Sequence, residues 1–113
     1  MFSQFIKRAY LDWDVTHSGF EGLIDTKLEP QGIKTRTLSF LKECIGDEDY
    51  DLITAWEVVE HIPYIKLSSF FDNVFNGLKP GGHFVFSTPD FDSPLCQALD
   101  FYAIGSPFHY TVF

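Results

Sequence analysis

The clearest hydrophobic pattern in the chain lies between Tyr50 and Pro89. Asp51–Ala55 (DLITA) is a short apolar run, too brief for a helix, and it ends against acidic residues. Glu57, Glu60 and His61 follow at i, i+3 and i+4, a spacing that places all three on one face of a helix. Leu67, Phe70, Phe71, Val74, Phe75 and Leu78 continue at helical spacing and predict an apolar stripe. Lys79-Pro80-Gly81-Gly82 stops that helix, because proline cannot continue it and glycine takes the left-handed turn. Phe84–Ser87 (FVFS) is a second β-rich run, closed by Thr88-Pro89. Two strands joined by a helix of this length make a parallel crossover unit.

The pattern elsewhere is shorter in range. Phe2–Leu11 carries Phe2, Phe5, Ile6, Ala9 and Tyr10 on one face and Lys7 and Arg8 on the other, which predicts an amphipathic helix. Trp13–Phe20 reads as a strand, Gly22–Gln31 as a short helix ending near Pro30 and Gly32, and Ile33–Leu38 as an alternating strand near a sheet edge. Phe40–Ile45 predicts a helical turn before the acidic loop 46–49. Ser93-Pro94 has the form of an N-cap with proline at the first helical position, so a helix is expected over Leu95–Ile104. A short β-like run closes the chain.

Composition narrows the class. A chain of 113 residues is enough for one small domain, and 45% hydrophobic with 18% aromatic residues can fill a core. Sixteen acidic residues against eight basic ones give a formal charge of −8, which argues against nucleic acid as a partner. Cys44 and Cys96 lack metal-ligand spacing and read as reduced core thiols. The opening MFSQFIKRAY has no long apolar segment, so no membrane association and a cytoplasmic location are the default expectations.

The ordered set YD-hydrophobic, ExxEH, helix, LKPGG, strand, STP over residues 50–89 resembles the second half of a class I S-adenosylmethionine-dependent methyltransferase. The fold this implies is α/β and Rossmann-like, a mostly parallel sheet flanked by helices. In that frame strand two ends at Gly19-Phe20-Glu21, strand three is Ile33–Leu38, strand four Asp51–Ala55 and strand five His83–Ser87. Strand one and its glycine-rich loop would precede residue 1, and the C-terminal hairpin is missing or only begun at His109–Phe113. The expectation is therefore a single truncated domain over 1–113. Strand one lies at the centre of the family's sheet, and its absence would leave strand edges to be covered; a homo-oligomer is expected on that ground.

The resemblance also implies a site. Glu21 stands where the family places an acidic residue for the cofactor ribose, with Asp25 as the alternative. Ser39 and Phe40 follow strand three, where adenine is contacted, and Ala55 and Trp56 end strand four, facing the methionine half; Trp56 could equally be a core aromatic. Glu57, Glu60 and His61 are similar to the ligand set of metal-dependent O-methyltransferases, with His109 as a fourth ligand and Mg²⁺ as the ion. Glu57 and His61 are the candidate catalytic residues, His61 as a general base with or without metal. The same EH pair caps a helix in many relatives that use no metal, and acidic residues suit a helix start in any case. The function implied is methyl transfer from S-adenosylmethionine to an oxygen or nitrogen of a small molecule or glycan. The alternative is a non-catalytic remnant or oligomeric interaction module with the same fold.

Overall fold

A computed structural model describes residues 2–19, 27–37, 49–90 and 92–98. The chain falls into two compact units, Met1–Glu43 and Cys44–Phe113.

In the first unit, helix α1 (Phe2–Ala9) leads into strand β1 (Thr16–Gly19), a 3-10 turn (Glu29–Gln31) and strand β2 (Lys34–Thr37). β1 and β2 pair in parallel, Thr16 opposite Lys34 through Gly19 opposite Thr37. Beyond the end of α1, Lys7 Nζ donates to the carbonyls of Leu11 (2.9 Å) and Trp13 (2.7 Å), holding the chain that follows against the last turn. Tyr10 and Trp13 stack there with ring centroids 4.4 Å apart. Gly32, at φ 75°, takes the left-handed position that closes the 3-10 turn. Leu28 and Ile33, both essentially inaccessible, flank this turn and form the buried centre of the unit.

The face of α1 differs from the one its apolar spacing predicts. Ser3 is buried whereas Phe5 is 67% exposed. The helix is tied to its own unit through polar groups: Ser3 Oγ lies 3.4 Å from His17 Nδ1, and Gln4 donates to Gln31 at 3.3 Å. Those bonds turn the Phe5 side outward.

In the second unit, strand β3 (Tyr50–Trp56), a 3-10 turn (Val59–His61), helix α2 (Tyr64–Gly77), strand β4 (Leu78–Ser87) and helix α3 (Pro94–Ala98) follow in order. β3 and β4 are parallel, joined by α2, which is the crossover the sequence predicts. Ile53 pairs with Phe84 and Ala55 with Phe86, so these four side chains share one face of the sheet. Phe70 and Phe71 of α2 pack on that face. Their rings lie 6.2 Å from Phe84, and Phe71 lies 6.1 Å from Phe86, all edge-to-face. Ala55, Val59, Ile62, Phe70 and Val74 are buried apolar residues of this unit.

Three features depart from the sequence expectation. The helix does not begin at the acidic cluster: Ile62 precedes Pro63 and is held extended (φ −91°, ψ 122°), which separates the 3-10 turn from α2. The apolar stripe is also narrower than its spacing suggests, since Phe70, Val74 and Gly77 are buried while Phe75 is 78% exposed. Finally, α2 stops at Gly77, and Leu78 is already extended and paired with Tyr50. The pairing resumes at Leu52 opposite His83, so Lys79–Gly82 forms an irregular bulge inside β4 instead of a turn ahead of it. Gly81 has φ 81°, as the left-handed position requires. A Cβ on Gly82 would meet the carbonyl oxygens of Lys79, Tyr50 and Asp51 at 2.9, 3.1 and 3.2 Å.

Ser93 caps α3 as predicted, its Oγ accepting from the Cys96 amide at 3.3 Å. Cys96 is a buried free thiol. The part of that predicted helix beyond Ala98, the predicted turn at 40–45 and the last β-like run lie outside the described residues. Among the described residues no helix is long and apolar enough to cross a membrane.

Candidate functional site

The carboxyl ends of parallel strands are where open α/β sheets bind ligands, because the loops that follow diverge there and leave a crevice. In the second unit those ends are Ala55-Trp56-Glu57 on β3 and Ser87-Thr88 on β4, with Trp56 directly opposite Ser87. Ala55 is 8% exposed and Trp56 42%, so a small buried residue is followed by a large ring that reaches the surface.

Glu57 is the residue around which this end is built. It has φ 53°, the one described non-glycine residue in the left-handed region. That conformation costs about 1–2 kcal/mol for a residue with a Cβ. Ser87 supplies the compensation. The Glu57 amide donates to both the Ser87 carbonyl (3.2 Å) and the Ser87 Oγ (3.1 Å). The Ser87 hydroxyl in turn donates to Glu57 Oε1 at 2.6 Å. A hydroxyl has one proton to give and lone pairs to receive with, so both bonds are compatible. A hydrogen bond to a carboxylate is worth about 1.5–3 kcal/mol when shielded and less at an exposed residue such as this, which is comparable with the strain.

The Glu57, Glu60 and His61 cluster does not form the single helical face its spacing predicts. Glu57 is left-handed and Val58 has φ −120°, so the chain enters the 3-10 turn only at Val59. The three side chains consequently face different surroundings. Glu57 is exposed against Ser87, His61 is half-buried, and Glu60 is buried at 2% exposure. Neither Glu60 carboxylate oxygen has a hydrogen-bond partner among the described residues. Among the described residues no group of three His, Cys, Asp or Glu side chains gathers to hold a metal ion. Glu21, Ser39, Phe40 and His109 lie outside the described residues, as does Asp25.

Two residues of this end escape the sequence reading. Ser87 is bonded to Glu57 three times over, and Thr88 carries a buried hydroxyl with no partner among the described residues. The signal that points to them is positional: short polar residues immediately after an apolar strand, at the end of the sheet where parallel strands open.

Comparison with known proteins is consistent with this geometry. A family model described as a methyltransferase domain matches residues 13–111, which is most of the chain. No curated protein and no solved structure matches. The family implies a Rossmann-like α/β fold, and the two parallel strand pairs, the second joined through a helix, are mixed α/β structure of that class. With a match of that extent, the chain belongs to the methyltransferase domain family.

Proposed function

We propose that the chain uses S-adenosylmethionine to methylate an oxygen or nitrogen of a small molecule or glycan. The observation that carries this reading is the juxtaposition of Trp56, Glu57 and Ser87 at the carboxyl ends of β3 and β4. When bound, S-adenosylmethionine supplies a methyl group on a cationic sulfonium, open to in-line displacement.

The residues present suit such a ligand. A partly exposed indole attracts a cation or stacks on a nucleoside base. The Glu57 carboxylate adds a negative charge beside it, after the small, buried Ala55. His61, at the 3-10 turn after β3, is the candidate base for an acceptor hydroxyl. By the family resemblance, Glu21, Ser39 and Phe40 are the candidates for ribose and adenine contacts. A three-residue Mg²⁺ site does not fit the described residues.

Calorimetric titration with S-adenosylhomocysteine, with and without Mg²⁺, tests the reading. Saturable binding weakened by Trp56→Ala is the expected result, with a loss of about 1–3 kcal/mol if the indole stacks on the ligand. A well-folded chain that binds nothing up to millimolar ligand overturns it.

A second reading, an oligomeric interaction module, is supported by Tyr64, Ile65 and Phe75 of α2, which are 80%, 85% and 78% exposed. Sedimentation equilibrium decides it. Self-association that weakens in Ile65→Ser/Phe75→Ser supports the module, and a monomer at all concentrations excludes it.

A further inference from the structure

We infer that Ser87 is a positioning residue whose hydroxyl latches β4 to Glu57 and presents the free oxygen of that carboxylate to a hydrogen-bond donor on the ligand. The inference rests on the reading that the β3–β4 end binds S-adenosylmethionine.

The geometry is specific to a hydroxyl at this position. Ser87 accepts from the Glu57 amide through Oγ at 3.1 Å and donates to Glu57 Oε1 at 2.6 Å, while its carbonyl takes the same amide at 3.2 Å. One side chain thus fixes both the backbone and the carboxylate of its neighbour across the sheet. The backbone so fixed is at φ 53°, where a glutamate does not rest unless its surroundings hold it. Without the hydroxyl only the residue-87 carbonyl would still take the Glu57 amide, so the left-handed backbone would be held more weakly and the carboxylate would be free to swing away from the strand ends. With Oε1 occupied by the Ser87 hydroxyl, Oε2 of this exposed residue is left to accept from a hydroxyl or ammonium group. Trp56 immediately precedes Glu57 and pairs with Ser87, so the same latch sets the direction in which the indole leaves β3.

The test uses the whole chain and three proteins: the wild type, Ser87→Ala and Ser87→Thr. Two quantities are measured for each, hydrogen exchange at the Glu57 amide and affinity for S-adenosylhomocysteine, with circular dichroism to verify folding. Ser87→Ala is expected to lower both the amide protection and the affinity roughly tenfold, the size of a lost charge-assisted hydrogen bond. Ser87→Thr, which keeps the hydroxyl, is expected to restore both. A folded Ser87→Ala chain that binds as the wild type does overturns the inference, as does a threonine variant no better than alanine. A wild type that binds no S-adenosylhomocysteine defeats the cofactor reading and the positioning role together. Amide protection that still falls in Ser87→Ala would then leave the latch as a purely structural contact.

Discussion

Gly82→Ala is the perturbation whose effect follows most directly from the geometry. The added Cβ would sit 2.9 Å from the Lys79 carbonyl oxygen, 3.1 Å from that of Tyr50 and 3.2 Å from that of Asp51. All three are backbone atoms, two of them on the partner strand β3, so no side-chain rotation relieves the contact. The strands must separate or the bulge at Lys79–Gly82 must refold. Overpacking of this kind costs about 1–3 kcal/mol. Replacing glycine recovers about 0.4–1 kcal/mol from the unfolded chain. Three simultaneous contacts favour the upper part of the range, leaving a net loss of about 2 kcal/mol. At roughly 4–8 °C per kcal/mol for a domain of this size, Tm should fall by on the order of 10 °C.

Gly81→Ala is the control. Nothing lies within 4 Å of its would-be Cβ, and only its φ of 81° opposes the change. Left-handed alanine costs about 1–2 kcal/mol, less the same unfolded-state gain, so the expected loss is about half as large. Thermal denaturation followed by circular dichroism, with urea titration to verify that the slope is unchanged, measures both. A Gly82→Ala protein that melts within about a degree of wild type would show that β3 and β4 do not approach as described.

Other substitutions probe different parts of the second unit. Phe70→Ala removes a 3%-exposed ring from the cluster with Phe71 and Phe84 and should cost about 3–5 kcal/mol in urea denaturation; a loss under about 1 kcal/mol would contradict the packing. Glu60→Leu replaces a buried carboxylate with two unpartnered oxygens and should raise stability by about 1–3 kcal/mol, whereas a lower Tm would mean that the carboxylate has a partner. Ser93→Ala removes the N-cap of α3 and should cost about 1 kcal/mol, read as a lower urea midpoint; an unchanged midpoint would show that the cap does not stabilise the unit.

The crossover was legible in the sequence because each of its parts obeys one local rule. DLITA and FVFS are too short and too apolar for anything but strands, and the run from Leu67 to Val74 has helical period. What escaped depends on the chain meeting itself. Phe75 fits the helical stripe, yet α2 buries only the row through Phe70 and Val74, and the width of the buried face is set by the sheet beneath it. The bulge in β4 depends on carbonyls of Tyr50 and Asp51, about thirty residues earlier in the chain. Phe5 lies on the apolar face that periodicity predicts for α1, but the bonds of Ser3 and Gln4 to distant residues turn the helix the other way.

At the site, the apolar run DLITA and the family resemblance place Ala55 and Trp56 at a strand end, whereas Glu57 is expected on the helix that follows. The shared face assigned to Glu57, Glu60 and His61 could not survive the left-handed Glu57 and Val58 at φ −120°, which delay the 3-10 turn to Val59. Ser87 gave no sign of its role, because its three bonds to Glu57 exist only once β3 and β4 are paired.

The central claim, that the carboxyl ends of β3 and β4 bind a methyl-donor cofactor, is tested most directly by nuclear magnetic resonance. The isotopically labelled chain is titrated with S-adenosylhomocysteine and the amide and indole shifts are followed. The account predicts saturable shifts that include Ala55, the Trp56 indole, Glu57 and Ser87. Saturable shifts that leave all four unmoved, or no shifts from a folded sample at millimolar ligand, would contradict it.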